Sequence, residues 1–384
     1  MNPLNPLNPT PSNLTQGLTR LPAYVYDLDG LSEHAASIKS ALRPELFYAA
    51  KANPDAAILR ALAPHVDGIE VSSGGELTHV RETLPGARLA FGGPGKTDEE
   101  LALALDLGVE RIHVESPSEL ARLAQMERPA TVLLRANLPL RTAGAALQMS
   151  GPFGMDEEAL NTCAHTIAGT PHLTLRGVHA HLASGLNAPA MLDLARHIID
   201  WALPWLEAHG VEDPEINLGG GMAVDYRSPE SRFDWESYTS GLPDRPAKLR
   251  IEPGRALTAY HGWYVTDVLD VKTTHGETYV VLRGGTHHLR TPVTKGHDQP
   301  FTVLTAERGE ERPATLVGQL CTPKDVFARD VPVPPLRPGD LIAFGMAGAY
   351  AWNISHHDFL MHPKPEFHYL DRSGHVAMDD DRPV

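Results

Sequence analysis

The chain has 384 residues, a 42% hydrophobic fraction and a formal charge of −15, enough chain for one large barrel with an appendage or for two domains. Its acidic residues are spread rather than blocked, which excludes the basic face a nucleic acid requires, and no apolar run reaches the ~18–20 residues that cross a bilayer. Two cysteines, Cys163 and Cys321, lack CxxC spacing, which argues against a disulfide framework or a thiolate zinc site and for a reducing cytoplasm.

In chain order, the opening MNPLNPLNPTPSNLTQG is polar and proline-rich, with neither the charged nor the apolar region of a secretory signal. It reads as a disordered arm over residues 1–20. AYVYDL (23–28) is a first strand. From 46 to 264, β-rich runs alternate with helical periodicity. The strand candidates are LFYAAKAN (46–53), GIEVSS (68–73), RLAFGG (88–93), RIHVES (111–116), TVLLRANL (131–138), LTLRGVHAHLA (173–183), EINLGGG (215–221) and KLRIEP (248–253). Helical stretches lie between most of them, as in DAAILRALAPH, KTDEELALALDLG, SPSELARLAQM and MLDLARHIIDWALPWLEAHG. Two carry capping signals, Thr97 with Glu100 and Ser116 with Glu119. Alternation of this kind gives a parallel sheet, and eight units within about 220 residues give a closed (β/α)8 barrel rather than an open sheet.

Beyond residue 265 the pattern changes. VTDVLDVKT, TYVVLRGG, ATLVGQLC and DLIAFGM are strand-like runs separated by Pro/Gly-rich loops without amphipathic helices between them, the mark of a β-domain. The early strand AYVYDL is expected to pair with it, so that both chain ends share one module. The expected organisation is an arm (1–20), a strand and helix joining the β-domain (21–45), a barrel (46–264) and a β-domain (265–384).

A barrel carries its reactive groups at the C-terminal ends of its strands. The first strand ends in Lys51, either a snorkelling surface lysine or a desolvated amine suited to a Schiff base. The seventh ends in Gly219-Gly220-Gly221, a tight turn or a backbone cradle for phosphate. The eighth ends in Glu252-Pro253-Gly254-Arg255, an exposed ion pair or a carboxylate and guanidinium beside that cradle. The sixth ends in His179-Ala180-His181, whose two imidazoles share one side by strand alternation. One cofactor would use an aldehyde on the lysine, a phosphate on the glycines and a pyridine nitrogen on the carboxylate: pyridoxal phosphate. The histidine pairs at 179/181, 287–288 and 356–357 lack HExxH spacing, and no metal site is expected.

The sequence resembles the fold-type III decarboxylases, the diaminopimelate and ornithine decarboxylase family, over nearly its whole length after residue 20. YVYDLDGL, FYAAKANPD, EVSSGGEL, FGGPGKTDEELALALDLG, HAHLASG, NLGGG, EPGR, CTPKD and the GAY of AGAYAWN stand in the family's order. The resemblance implies an alanine-racemase-like barrel with a second β-domain, and Lys51 as the lysine that holds the cofactor. It implies His181 on the face of the pyridine ring, Glu252 on the ring nitrogen, and Ser184, Gly219, Gly220, Gly221, Arg255 and Tyr350 on the phosphate. Cys321 would reach across a homodimer interface into the partner's site, and Cys321 or a neighbouring acid would protonate Cα. A carboxylate at the ring nitrogen suits decarboxylation, whereas racemases of this fold place an arginine there.

The resemblance also bears on the substrate. Family members that bind a distal ammonium place an acidic residue directly after the cysteine. This chain has Thr322, although Asp325 remains further along the motif. A distal amine would be left poorly paired. His287, His288 and Arg290, with His356, His357 and Lys364, form either a wet rim or a site for a distal anion. The tail AGAYAWNISHHDFLMHPKPEFHYL resembles the carboxylate-siderophore branch, whose members decarboxylate an amino acid coupled to citrate. Alternatives are a carrier-bound glutamyl substrate, diaminopimelate or another basic amino acid, a racemase, a non-catalytic pyridoxal-phosphate-binding protein and a metal-dependent barrel hydrolase.

Overall fold

The computed structural model describes residues 14–15, 17–140, 143–244, 247–290, 296–304, 309–370 and 376–378. The chain divides into two units, one spanning His34–Ala223 and Phe233–Leu257, the other made of the chain up to Glu33, Val224–Arg232 and the chain from Thr258 onward.

The first strand, β1 (Ala23–Asp27), is buried throughout and belongs to the second of these units. The chain then runs through β2 (Glu45–Ala49), β3 (Gly68–Val71), β4 (Leu89–Phe91), β5 (Arg111–Val114), β6 (Ala130–Arg135), the short β7 (Leu147–Gln148), β8 (Leu173–His179), the short β9 (Ala183–Ser184), β10 (Glu215–Asn217) and β11 (Lys248–Ile251). Strands β2–β6, β8, β10 and β11 close into an eight-stranded parallel barrel. These are the eight runs expected from sequence. Most of their residues are apolar because the strands bury one face in the barrel and the other under helices. The expected run 173–183 breaks after His179, and its last residues form β9, which pairs with β7 outside the barrel.

Helix starts follow local chemistry. The helix Asp98–Asp106 opens at a complete capping box between Thr97 and Glu100. At Pro117–Gln125 only half of the box forms. Ser116 Oγ accepts from Glu119 N at 3.1 Å, while the Glu119 carboxylate turns instead to Lys96 Nζ at 2.9 Å.

The N-terminal end of the barrel is closed by charge. Arg250, fully buried, pairs with Glu45, Glu110 and Glu215 at 2.8, 3.0 and 3.2 Å. Burial alone would raise the Glu45 carboxyl, but hydrogen bonds from Arg88, Lys248 and Arg250 hold it at about 2.

The second unit continues through β12 (Gly262–Thr274), β13 (Glu277–Leu282), β14 (Phe301–Val303), β15 (Arg312–Val317), β16 (Val326–Val333), β17 (Leu341–Phe344), β18 (Glu366–Leu370) and β19 (Val376–Met378). Its sheet runs β16-β15-β13-β12-β1-β18-β19, with β17 bridging β12 and β14. Strand β1 lies between β12, antiparallel, and β18, parallel. The β-domain is thus built from both chain ends, as the sequence predicts. Leu14 packs with Val25, Trp263, Val265 and Leu370 in its core. The packed chain therefore reaches back to Leu14, inside the segment expected to be an arm, and the NPL repeats at 1–13 lie outside the described residues. Among the described residues no helix is long and apolar enough to cross a membrane.

Candidate active site

Strand β2 ends at Ala49 and the chain tightens into a single 3-10 turn, Ala50–Ala52. The turn buries both alanines and lifts Lys51 to the rim, where its side chain is 47% exposed. Nζ donates to Glu70 Oε2 at 2.8 Å and Ser72 Oγ at 3.4 Å, and Ser72 Oγ donates to Glu70 Oε1 at 3.0 Å. The sequence suggests a desolvated lysine. In the structure the desolvated member of the pair is the carboxylate. Burial drives Glu70 up to about 7 against the pull of the Lys51 charge, and Glu252 adds to the rise.

Glu252 follows β11 and is 6% exposed. Its Oε1 accepts from Asn217 Nδ2 at 2.6 Å, and Asn217 Oδ1 accepts from Gly219 N at 2.9 Å, which fixes the amide's orientation. Below lie two stacked imidazoles, His113 and His179, with centroids 4.4 Å apart and planes 17° from parallel. His179 Nε2 is 3.4 Å from Glu252 Oε2, and His113 Nε2 is 3.8 Å from Oε1. Burial, reinforced by nearby charges, holds both rings well below the usual histidine range, so both are neutral. His181, on the same side as His179, is held down to about 4 by burial and then by Lys51.

The three glycines after β10 form a bare backbone cradle. Gly219 (φ 69°) and Gly221 (φ 103°) are left-handed. A Cβ at 219 would stand 2.5 Å from His181 Cβ, one at 220 would stand 2.4 Å from Glu252 O, and one at 221 would stand 2.4 Å from Ala183 O. No side chain is tolerated at any of the three. Ser184 and Gly185 line the same turn, Gly185 N donating to Gly221 O at 2.7 Å. Arg255 opens the short helix Arg255–Thr258 directly after EPG. The barrel unit therefore brings Lys51, His181, Ser184, Gly219, Gly220, Gly221, Glu252 and Arg255 to strand ends at one rim. A side-chain-free loop suits a phosphate, and a buried carboxylate suits a protonated pyridine nitrogen.

The remaining expected residues lie in the second unit. Cys321 is exposed. The following Thr322 Oγ1 accepts from Lys324 N at 3.4 Å. Asp325 is fully engaged, its two oxygens accepting from Thr286 N at 2.6 Å and Leu320 N at 2.8 Å. It braces its loop. Arg290 exposes its side chain while its backbone N donates to Ser355 Oγ at 3.0 Å. Tyr350 sits at φ 49°, uncommon for a residue with a Cβ. His287 and His288 are not a wet cationic rim. Both are wholly buried, with rings 3.8 Å apart, and burial, with neighbouring histidines, lowers them to about 4 and about 3. They are neutral N–H donors at pH 7.

Sequence reading did not single out Glu70, Ser72, Asn217 and His113 as site residues. The available signal was a polar residue at an inward position of an apolar strand: Glu70 in GIEV, His113 in RIHV and Asn217 in EIN.

A closed parallel barrel with a rim lysine, a buried carboxylate and a glycine cradle defines a pyridoxal-phosphate enzyme of the alanine-racemase-like fold. The chain belongs to the pyridoxal-dependent decarboxylases, whose pyridoxal binding domain profile matches residues 28–259. It is 39% identical to 2-[(L-alanin-3-ylcarbamoyl)methyl]-2-hydroxybutanedioate decarboxylase of Staphylococcus aureus, over 91% of this chain and 94% of the relative. It is 32% identical to the L-glutamyl-[BtrI acyl-carrier protein] decarboxylase of Niallia circulans, over 92% and 89%. The structure of diaminopimelate decarboxylase from Helicobacter pylori complexed with L-lysine superposes with a TM-score of 0.84 at 26% identity, covering 96% of this chain and 95% of that one. The protein is a pyridoxal-phosphate-dependent amino-acid decarboxylase.

Proposed function

We propose that the protein decarboxylates an amino acid whose far end carries a citrate-derived polyanion, working as a cytoplasmic homodimer. The observation that carries this reading is Thr322, a neutral residue directly after Cys321, together with the relative at 39% identity. The compound in that relative's name is an alanine amide-linked to a citrate skeleton with two free carboxylates. An acid after the cysteine would repel such an arm, whereas the exposed Arg290 and the single N–H of the neutral His287 can attract it.

In this reading Lys51 holds the cofactor's aldehyde, His181 covers its ring, and Glu252 faces the ring nitrogen. Gly219, Gly220, Gly221, Ser184, Arg255 and Tyr350 hold its phosphate. When bound, the cofactor supplies an electron-poor ring that takes up the pair left when the bond to the carboxylate breaks. The negative charge of Glu252 keeps a proton on the nitrogen it faces. Glu70 Oε2, 2.8 Å from Nζ, in its ionised form takes the proton that Lys51 must lose to act as an amine. Cys321 of one subunit completes the other subunit's site, where its thiol delivers a proton to the α-carbon. Asp325 acts one step removed, shaping the loop that carries Cys321 and Thr322.

The test is CO2 release by the purified enzyme from a citryl-amide amino acid, a carrier-linked glutamyl unit, diaminopimelate, ornithine and lysine. The citryl amide should give the highest kcat/KM. Faster turnover of any other member would leave the decarboxylase and remove the polyanionic substrate.

A further inference from the structure

The reaction as described does not use the two imidazoles under Glu252. His113 extends inward from β5 and His179 from the end of β8, level with Asn217 of the neighbouring β10. His113 is wholly buried and His179 is 5% exposed. Among the described residues none of their four ring nitrogens has a hydrogen-bond partner, an unusual cost for two buried polar rings. Their Nε2 edges stand 3.8 and 3.4 Å from the two oxygens of one carboxylate. The distances are longer than a formed hydrogen bond. Side-chain hydrogen bonds at catalytic groups commonly tighten only in the loaded enzyme.

We propose that His113 and His179 are positioning residues that donate from Nε2 to the two oxygens of Glu252, holding its carboxylate aimed at the cofactor's ring nitrogen. The inference rests on the assignment of Glu252 to that nitrogen. Three further observations support it. The rings are uncharged, so each has one N–H to give. Arg135 and Lys96 oppose a second proton on His179, and Arg250 and Lys96 oppose one on His113. The face-to-face stack leaves the ring edges as the polar contacts, and for both rings one edge meets Glu252. Asn217 Nδ2 already donates to Oε1, so Glu252 would gather three N–H groups, enough to offset its burial.

The same three side chains bring one ligand-capable atom each within 4.8 Å of one another, the rival reading being a divalent-cation site. The test begins with the wild-type apoprotein, so that it does not depend on a variant folding. Long-range 15N–1H spectra of histidine-labelled protein should show His113 and His179 as neutral Nε2–H tautomers. Nδ1–H tautomers or imidazolium signals would overturn the proposal. His179→Phe keeps a stacked ring without a donor. It should lower kcat about tenfold at unchanged KM and an unchanged or higher apoprotein melting temperature, and His179→Gln should recover most of the loss. Full activity in His179→Phe would overturn the donor role. Stoichiometric zinc binding by the apoprotein, competing with pyridoxal phosphate and lost in His179→Phe, would assign the trio to a metal instead. The tautomer spectra separate failure here from failure of the Glu252 assignment, which the Glu252→Gln enzyme tests on its own.

Discussion

Replacing Glu252 with Gln changes almost no volume, yet the surroundings dictate how the new amide must sit. Asn217 cannot turn over, because its Oδ1 already accepts from Gly219 N at 2.9 Å. Its Nδ2, 2.6 Å from Glu252 Oε1, therefore demands an acceptor at that position. The Gln carbonyl must go there, and its NH2 is left at the position of Oε2. On the proposed assignment, an amide donor then faces a ring nitrogen that must be unprotonated to accept from it. The loss of one charge-assisted hydrogen bond costs ~1.5–3 kcal/mol, roughly ten- to hundredfold. Weakened electron withdrawal by the unprotonated ring adds to that, so kcat should fall by at least about a hundredfold. Because the cradle and Lys51 are untouched, cofactor content should remain stoichiometric. The assay pairs CO2 release with the absorbance of bound cofactor. A kcat within a few-fold of wild type, with cofactor bound, would refute the assignment.

Three further expectations follow the same logic. Mixing Lys51→Ala with Cys321→Ala protein should restore activity once subunits exchange, since reshuffled dimers regain one site with both wild-type residues; confirmed exchange without recovery removes the cross-subunit role of Cys321. Arg290→Ala should raise KM for a citryl amide roughly ten- to hundredfold at nearly constant kcat, and a fall in kcat alone would place Arg290 near the chemistry instead. Burial raises the Glu70 carboxyl from its ordinary 4.5 to about 7, so its contribution to apoprotein stability is fully present below 4.5 and is lost as pH rises through 7. Glu70→Gln should flatten that decline in melting temperature between pH 5 and 7.5, and an unchanged slope would show that Glu70 titrates normally.

The barrel was legible because its strands are short apolar runs punctuated by helices with capping residues, and each of those signals is local. Thr97 illustrates this, with both halves of its box present. Ser116 shows the limit: the same motif is half formed because Glu119 meets the buried Lys96, a partner 23 residues earlier in sequence. In the second unit β16 escaped notice because VFARDVPVP mixes charge and proline with a left-handed Asp330. β18 was hidden in the polar tail. At the rim, Lys51, GGG and EPGR stood out because glycine, proline and charge break an apolar pattern. Glu70 and His113 did not, since a single polar residue inside a strand means little until the barrel closes and turns it inward. The histidine pair at 287–288 stands open in the sequence as a wet rim or a site for a distal anion, and burial makes it two neutral rings.

The position of β1 has a consequence for how the protein is made. It leaves the ribosome before every barrel strand, yet its partners β12 and β18 lie far downstream, the nearer register beginning at Gly262. At ~5–20 residues per second, the apolar AYVYD segment waits on the order of ten to fifty seconds for β12, and longer for β18. All barrel strands emerge in that interval, so the barrel can close before the sheet that β1 belongs to exists. Until β12 has emerged, β1 is an unpaired apolar strand, a natural target for chaperones and for misassembly.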